Sequence, residues 1–257
     1  MKAHALLVAE CDGGRTVLRE LRSMAPLTLL PKRGRGAEAV VHLVNSATSP
    51  LGGDELKLTL RIGAGARVRL SGVAATIALP GLHGESSSST VDIEVEEGGE
   101  LDYLPEPTVI TARARHFAEL RASLAHDARL RTREVLVLGR TGELPGRMTS
   151  SQHIARAGIP LLRQTLEIGD PSLDASVAHL AGRRVLATEL SVGGLEVTEA
   201  ASGDWWSLTP LAAGGTLATA LAFDAVAAYA GLALANKTAL PEHRRSGRIA
   251  AITRPAR

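Results

Sequence analysis

Apolar and polar side chains alternate over short stretches through most of the chain, and the strongest case begins at a proline and glycine corner. Leu56, Leu58, Leu60 and Ile62 alternate with Lys57, Thr59 and Arg61, so four apolar side chains share one face of a strand. Gly63, Ala64 and Gly65 then turn the chain, and Val68 and Leu70 alternate with Arg67 and Arg69 on the return. This predicts a hairpin with one buried and one wet face. The same logic recurs where Val91, Ile93 and Val95 alternate with Asp92, Glu94 and Glu96 before Gly98 and Gly99 lead into residues 101–104. Side chains of the two units do not match, so stacked hairpins are predicted rather than a sequence repeat. Further strands are predicted at 4–9 and 16–21 around a turn at Cys11 to Arg15, and at 40–44, 134–138, 162–168, 174–180, 184–190 and 194–198. The last two are joined through Gly193 and Gly194. Pro105 and Pro107 stop a strand, because neither can donate to a ladder. Together these predict an all-β body of stacked antiparallel strands or hairpins, β-helix-like or sandwich-like, over about residues 1–200 of a single domain.

The helical signal comes late. Residues 217–236 are rich in Ala and Leu without proline, which predicts a small helical part at about 211–238, followed by a basic tail at 241–257. The stretch is apolar enough to raise a membrane span or a peripheral membrane anchor. Asp224 near its centre would cost roughly 2.5–3.5 kcal/mol in a bilayer, so a buried or partner-docking helix and no membrane contact are expected.

Composition narrows the function. The chain has 257 residues, 45% hydrophobic but only 2% aromatic, so its core is aliphatic. A single-strand nucleic-acid binder needs stacking platforms that are scarce here, and much of the basic excess behind the net charge of +2 sits in the tail; no nucleic-acid partner is expected. Cys11 is the single cysteine, which excludes an internal disulfide, and the N-terminal apolar run is too short for a secretory signal; a cytoplasmic protein is expected. There is no P-loop, nucleophile elbow or His-Glu-x-x-His helix, and Gly63 and Gly65 lack the third glycine of a dinucleotide fingerprint. The eight histidines form no cluster with metal-ligand spacing.

Two carboxylates stand out. Asp54 follows the Leu51, Gly52, Gly53 corner, and Glu143 sits in a second corner between Gly142 and Gly146, three residues after Arg140. Each can tie down its own turn through backbone N–H groups, with Arg140 as an ion partner for Glu143. Alternatively, both line a polar path through the β body.

Taken in order, several motifs resemble the urease accessory protein UreD family, called UreH in some bacteria. They are Leu21 to Leu27, Leu51 to Asp54 with Gly63 to Ala66, Leu101 to Pro107, and Gly139 and Arg140 with Gly142 and Glu143. The resemblance covers about residues 16–165; the Ala-rich C-terminal third is not matched. It implies a largely β scaffold without enzymatic activity that binds a UreF-like protein and, through it, a UreG-like GTPase, and docks on apo-urease during nickel delivery. It also implies no tightly bound cofactor, only transient nickel, with Asp54 and Glu143 as candidate metal-path residues because hard oxygen ligands release the ion readily. The competing reading is a stacked-β enzyme on a sugar or small acid, with Asp54 and Glu143 as its acid/base pair.

Overall fold

The computed structural model describes residues 1–34, 36–194 and 197–238. The chain enters through an antiparallel pair, β1 (Lys2–Asp12) and β2 (Arg15–Arg22), and a second pair, β3 (Leu27–Lys32) and β4 (Ala39–Asn45). From there it alternates between two sheets. β5 (Glu55–Ile62) lies in the first, β6 (Arg67–Gly72) and the short β7 (Thr76–Ala78) in the second. The next rung places β8 (Ser87–Val95) in the first sheet and β9 (Glu100–Leu104) and β10 (Thr108–Ile110) in the second. β11 (Arg115–Leu124) and β12 (Arg129–Leu138) repeat the move. β13 (Arg147–Arg156) and β14 (Ile159–Ile168) complete the first sheet as an antiparallel pair. After the short helix α1 (Pro171–Ala175), β15 (Val185–Val192), β16 (Ala201–Gly203), β17 (Trp206–Pro210) and β18 (Thr216–Ala222) extend the second sheet, and α2 (Ala225–Thr238) packs on it.

The all-β class, the stacking and the small C-terminal helix agree with the sequence reading. The pairing within the stack does not. β5 pairs in parallel with β1 and β8, while β6 pairs in parallel with β4 and β9. The predicted hairpins at 56–70 and 91–104 are therefore arches whose arms face each other across the core, and the rungs stack in a solenoid. The glycine turns are corners that stack too. Gly65 N–H donates to Glu97 O at 2.9 Å, Glu100 N–H to Ala66 O at 2.8 Å, and Arg129 N–H to Gly99 O at 2.8 Å. A side chain at Gly99 would lie 2.9 Å from Glu96 O, closer than any real contact. Alternation alone cannot distinguish an arch from a hairpin, since both bury every second residue.

Outward positions form rows of opposite charge. Arg67 and Arg129 flank Glu100, and Arg69 and Arg131 flank Asp102, at 3.3–3.9 Å. Such exposed pairs are worth roughly 0–1 kcal/mol each, but they spare the stack a like-charge ladder.

Three stretches differ from expectation. Residues 174–180 are not a strand: Pro171 starts α1, and the Asp170 carboxylate accepts the Ser172 and Leu173 N–H groups. Residues 197 and 198 are not strand either, and 195 and 196 lie outside the described residues, as does the whole of the predicted basic tail at 241–257. Residues 216–222 are β18 rather than helix, with alternating burial, because pairing with β15 and β17 overrides the helix preference of Ala and Leu. Asp224 is thus not mid-helix. It caps α2, accepting the Ala227 N–H at 2.8 Å through its side chain and the Ala228 N–H through its carbonyl.

The alanines of this region have a packing reason. Ala218, Ala220 and Ala222 on β18 and Ala228 and Ala235 on α2 form a cluster with Leu232 on the outer face of the second sheet. Small side chains let helix and sheet approach until a Cβ at Gly231 would be 2.9 Å from that of Ala220. Asn236 in the last turn donates to the buried Glu189 carboxylate at 2.9 Å, which also takes an ion pair from Arg131 at 3.0 Å. Among the described residues, no helix is long and apolar enough to cross a membrane. Removing the cap through Asp224→Ala is expected to lower stability by about 1 kcal/mol in urea unfolding, while a mid-helix aspartate would gain from the change.

Candidate functional site

Parallel in-register stacking turns each inward position into a row across a sheet. Near the corners these rows are aliphatic: Leu7, Leu60, Ile93, Ala122 and Ile154 stand in line in the first sheet, all buried. Val68, Leu101, Leu130 and Val192 oppose them in the second. Farther from the corners the rows become small and polar. In the first sheet they read Leu56, Ser89, Ala118, Ser150, and then Ser87, His116, Met148. The second sheet there carries Tyr103 and Thr132, then Gly72 and Glu134. These rows leave a cavity of about 160 Å³ between the sheets, bridged where Ser150 of the first sheet meets Glu134 of the second. Asn45 and Pro50 line it on the β4 side and Gln152 on the β13 side.

Three carboxylates, Glu106, Glu119 and Glu134, and the Arg133 guanidinium line this cavity. Glu134 is the one that hydrogen bonds tie to the opposite sheet. The Ser150 hydroxyl donates to Oε1 at 2.7 Å and the Gln152 amide to Oε2 at 3.1 Å. The Glu134 side chain is half-buried and faces the cavity. Burial raises its pKa, and the two hydrogen bonds only partly offset that. His116, 4% exposed, receives or gives hydrogen bonds at both nitrogens, to Ser87 at 2.8 Å and Ser89 at 3.0 Å. Burial pushes its pKa down to about 4, so the ring is neutral at pH 7, the form that ligates metals. Carboxylates, one neutral imidazole and a set of hydroxyl and amide oxygens can pass a hydrated divalent cation between weak oxygen contacts. Among the described residues, no group of three or more His, Cys, Asp or Glu side chains is arranged to hold a metal ion.

The carboxylates singled out from the sequence lie elsewhere. Asp54 is buried, but both oxygens are engaged. Oδ2 accepts from the Ser49 hydroxyl at 2.7 Å and the Leu51 N–H at 2.9 Å, and Oδ1 meets the N-terminal ammonium at 2.8 Å. Burial works to raise its pKa, yet the Leu51 N–H, the ammonium and Ser49 together hold it below the ordinary aspartate value. It borders the cavity only indirectly: Asn45, which lines the wall, donates to Ser49 O. Glu143 sits on the exposed loop after β12, where the Arg140 side chain and N–H bind it at 2.9–3.0 Å and bring its pKa down to about 2. The two share no partner, and neither lines the cavity. Glu134 and His116 were not found from the sequence. Their signal is a polar residue in phase with inward apolar positions, Thr132, Glu134, Leu136 on β12 and His116, Ala118, Leu120 on β11.

A model of the family described as UreD urease accessory protein matches residues 1–249. The chain belongs to the UreD family. It is 56% identical to urease accessory protein UreD 1 of Saccharopolyspora erythraea, over 91% of this chain and 93% of that one. To UreD of a Parafrankia species it is 41% identical, over 88% and 85% of the two chains. To UreD of Streptomyces avermitilis it is 38% identical, over 88% and 92%. The match extends through the Ala-rich C-terminal third, so that region is part of the UreD pattern, contrary to the sequence reading. UreD proteins are accessory factors and not enzymes, and the separate bonding of Asp54 and Glu143 gives no support to an acid/base pair.

His116 makes the fold acid-sensitive. The unfolded chain takes up a proton on it near pH 6.5, the folded chain only near pH 4. The contribution is therefore intact above pH 6.5 and falls as the pH drops through that window, by up to about 3 kcal/mol. Urea unfolding at pH 7 and pH 4.5 is expected to show a larger loss for the unmodified chain than for His116→Gln; parallel losses would exclude the effect.

Proposed function

We propose that this chain is a urease maturation factor of the cytoplasm, a non-enzymatic scaffold that joins the accessory complex to apo-urease and passes nickel through its inter-sheet cavity. Its expected partners are a UreF-like protein, a UreG-like GTPase and apo-urease. Family membership supports the maturation role. The observation that carries the conduit is Glu134, a carboxyl that faces the cavity and is held by two neutral donors, Ser150 and Gln152, rather than by an ion pair. A protonated Glu134 would lose its proton as a divalent ion arrives and regain it as the ion leaves, which keeps binding transient. Neutral His116 and the serine and amide groups add uncharged contacts, and Glu106 and Glu119, which line the same cavity, add carboxylates.

Asp54 stays on the proposed path as the residue behind the Asn45 and Pro50 end of the cavity. Glu143 has weaker support, since Arg140 neutralises it outside the cavity. The carboxylates thus rank Glu134, Asp54, Glu143 in expected effect.

The test is co-expression of the urease operon with and without this chain, reading nickel per urease subunit. Omission is expected to leave urease assembled but nickel-poor. Glu134→Gln is expected to retain complex formation and to lower nickel content severalfold, with Glu143→Ala close to the unmodified level. Full nickel loading with Glu134→Gln would end the conduit reading, and full loading on omission would end the maturation reading.

A further inference from the structure

One end of the second sheet, where β12 and β18 stop and β15 and β17 begin, concentrates features found together nowhere else on the described surface. Arg183, just before β15, is clamped between two rings. Its guanidinium carbon lies 3.6 Å from the ring centroid of Trp205 and 4.1 Å from that of Phe223. The chain has two tryptophans and two phenylalanines in all, yet these two side chains are 47% and 63% exposed. Val226, in the first turn of α2, and Leu144, on the loop after β12, are exposed as well. Arg184 joins that loop to the patch by donating to the carbonyls of Leu138, Gly139 and Arg140.

Two further observations separate this from a casual surface contact. Trp205 has a φ of 62°, a left-handed conformation that is strained for a residue with a side chain, and its carbonyl is fixed there by the Leu221 N–H at 2.8 Å. The strained turn carries the ring that covers Arg183. Second, among the described residues no carboxylate pairs with Arg183, and its Nε is buried without a hydrogen-bond partner. Of the acids in the flanking segments, Glu143 pairs with Arg140, Asp224 accepts from the α2 N-terminus, and Asp204 forms no ion pair with Arg183. A guanidinium held rigid between rings has given up its rotamer freedom in advance and is weakly hydrated, which lowers the cost of docking.

We infer that this patch docks an acidic segment with apolar flanks, carried by a protein partner of the maturation assembly. The carboxylate meets the open edge of Arg183, and its flanks cover Trp205, Phe223 and Val226. Arg and Trp are the residues that most often dominate interface energetics. A second copy docked with its two-fold axis through this patch fits poorly, because it would set Arg183 against Arg183. A nucleic acid would want a row of unpaired cations, and the neighbouring Arg140 and Arg184 are already used. The inference rests on the maturation reading for the assembly in which the partner is sought.

The experiment uses the full chain co-expressed with urease and the other accessory proteins of the operon. A benzoyl-phenylalanine photocrosslinker at Phe223 is expected to join it to one of those proteins, within a few residues of an Asp or Glu. Arg183→Glu is expected to reduce the co-purified partner at least about tenfold. Arg163→Glu, an exposed site on β14 of the other sheet with the same change of charge, should have no effect. Arg183→Lys, which keeps the charge and loses the planar stack, should fall between them. Thermal melting reports folding, and Trp205→Ala replaces Arg183→Glu if that variant does not fold. Recovery of the full complex with a folded Arg183→Glu chain overturns the inference while leaving nickel loading, and so the maturation reading, intact. Crosslinks to a second copy, to nucleic acid or to a peptide without a carboxylate overturn it as well. Normal nickel content on omission of the chain would instead remove the maturation reading, whatever the crosslinks show.

Discussion

The structure depends on the in-register parallel stacking of its arches. Once Gly65 bonds to Glu97 and Gly99 to Arg129 at successive corners, every inward position of one rung lies beside the same position of the next. A residue's character is then copied sideways. Leu60 beside Ile93 makes a wall of core, and Ser89 and Ser150 on either side of Ala118 make a wall of cavity. Solid interior and polar void are produced by the same ladder, distinguished only by distance from the corner. The core holds the rungs together near the glycines, which leaves the far rows free to be small and polar.

Much of this architecture was legible in the sequence, for a physical reason. Alternation of period two sets which face of a strand is buried, and it does so locally, so the β body and most strand positions follow from it. Pairing partners do not, because an arch and a hairpin bury the same alternate residues. Residues 216–222 show the opposite failure. Alanine and leucine favour a helix in isolation, and only contact with β15, β17 and α2 makes that segment a strand. Asp170 before Pro171 was a readable helix start, hidden by the expectation of another strand.

The candidate site was less legible than the fold. Glycine corners drew the eye to Asp54 and Glu143, and both do what carboxylates at corners do, binding N–H groups and a nearby cation. Glu134 opens an apolar run and has no motif around it. Its position inside the cavity depends on Ser150 and Gln152, sixteen and eighteen residues away in the chain. No local pattern encodes that meeting. Arg183, Trp205 and Phe223 are likewise brought together by strand order, from three separate segments.

The cavity's size has a consequence for hydration. A volume of about 160 Å³ accommodates several waters. The serines, Gln152, Glu134 and Asn45 give those waters polar partners, and Asn45 Oδ1 has none within the protein. A cation entering such a space exchanges part of its hydration shell for wall oxygens and keeps the rest. Stripping an ion bare costs far more than sharing it with water, so a wet cavity can be crossed where a dry one of the same lining would stop the ion.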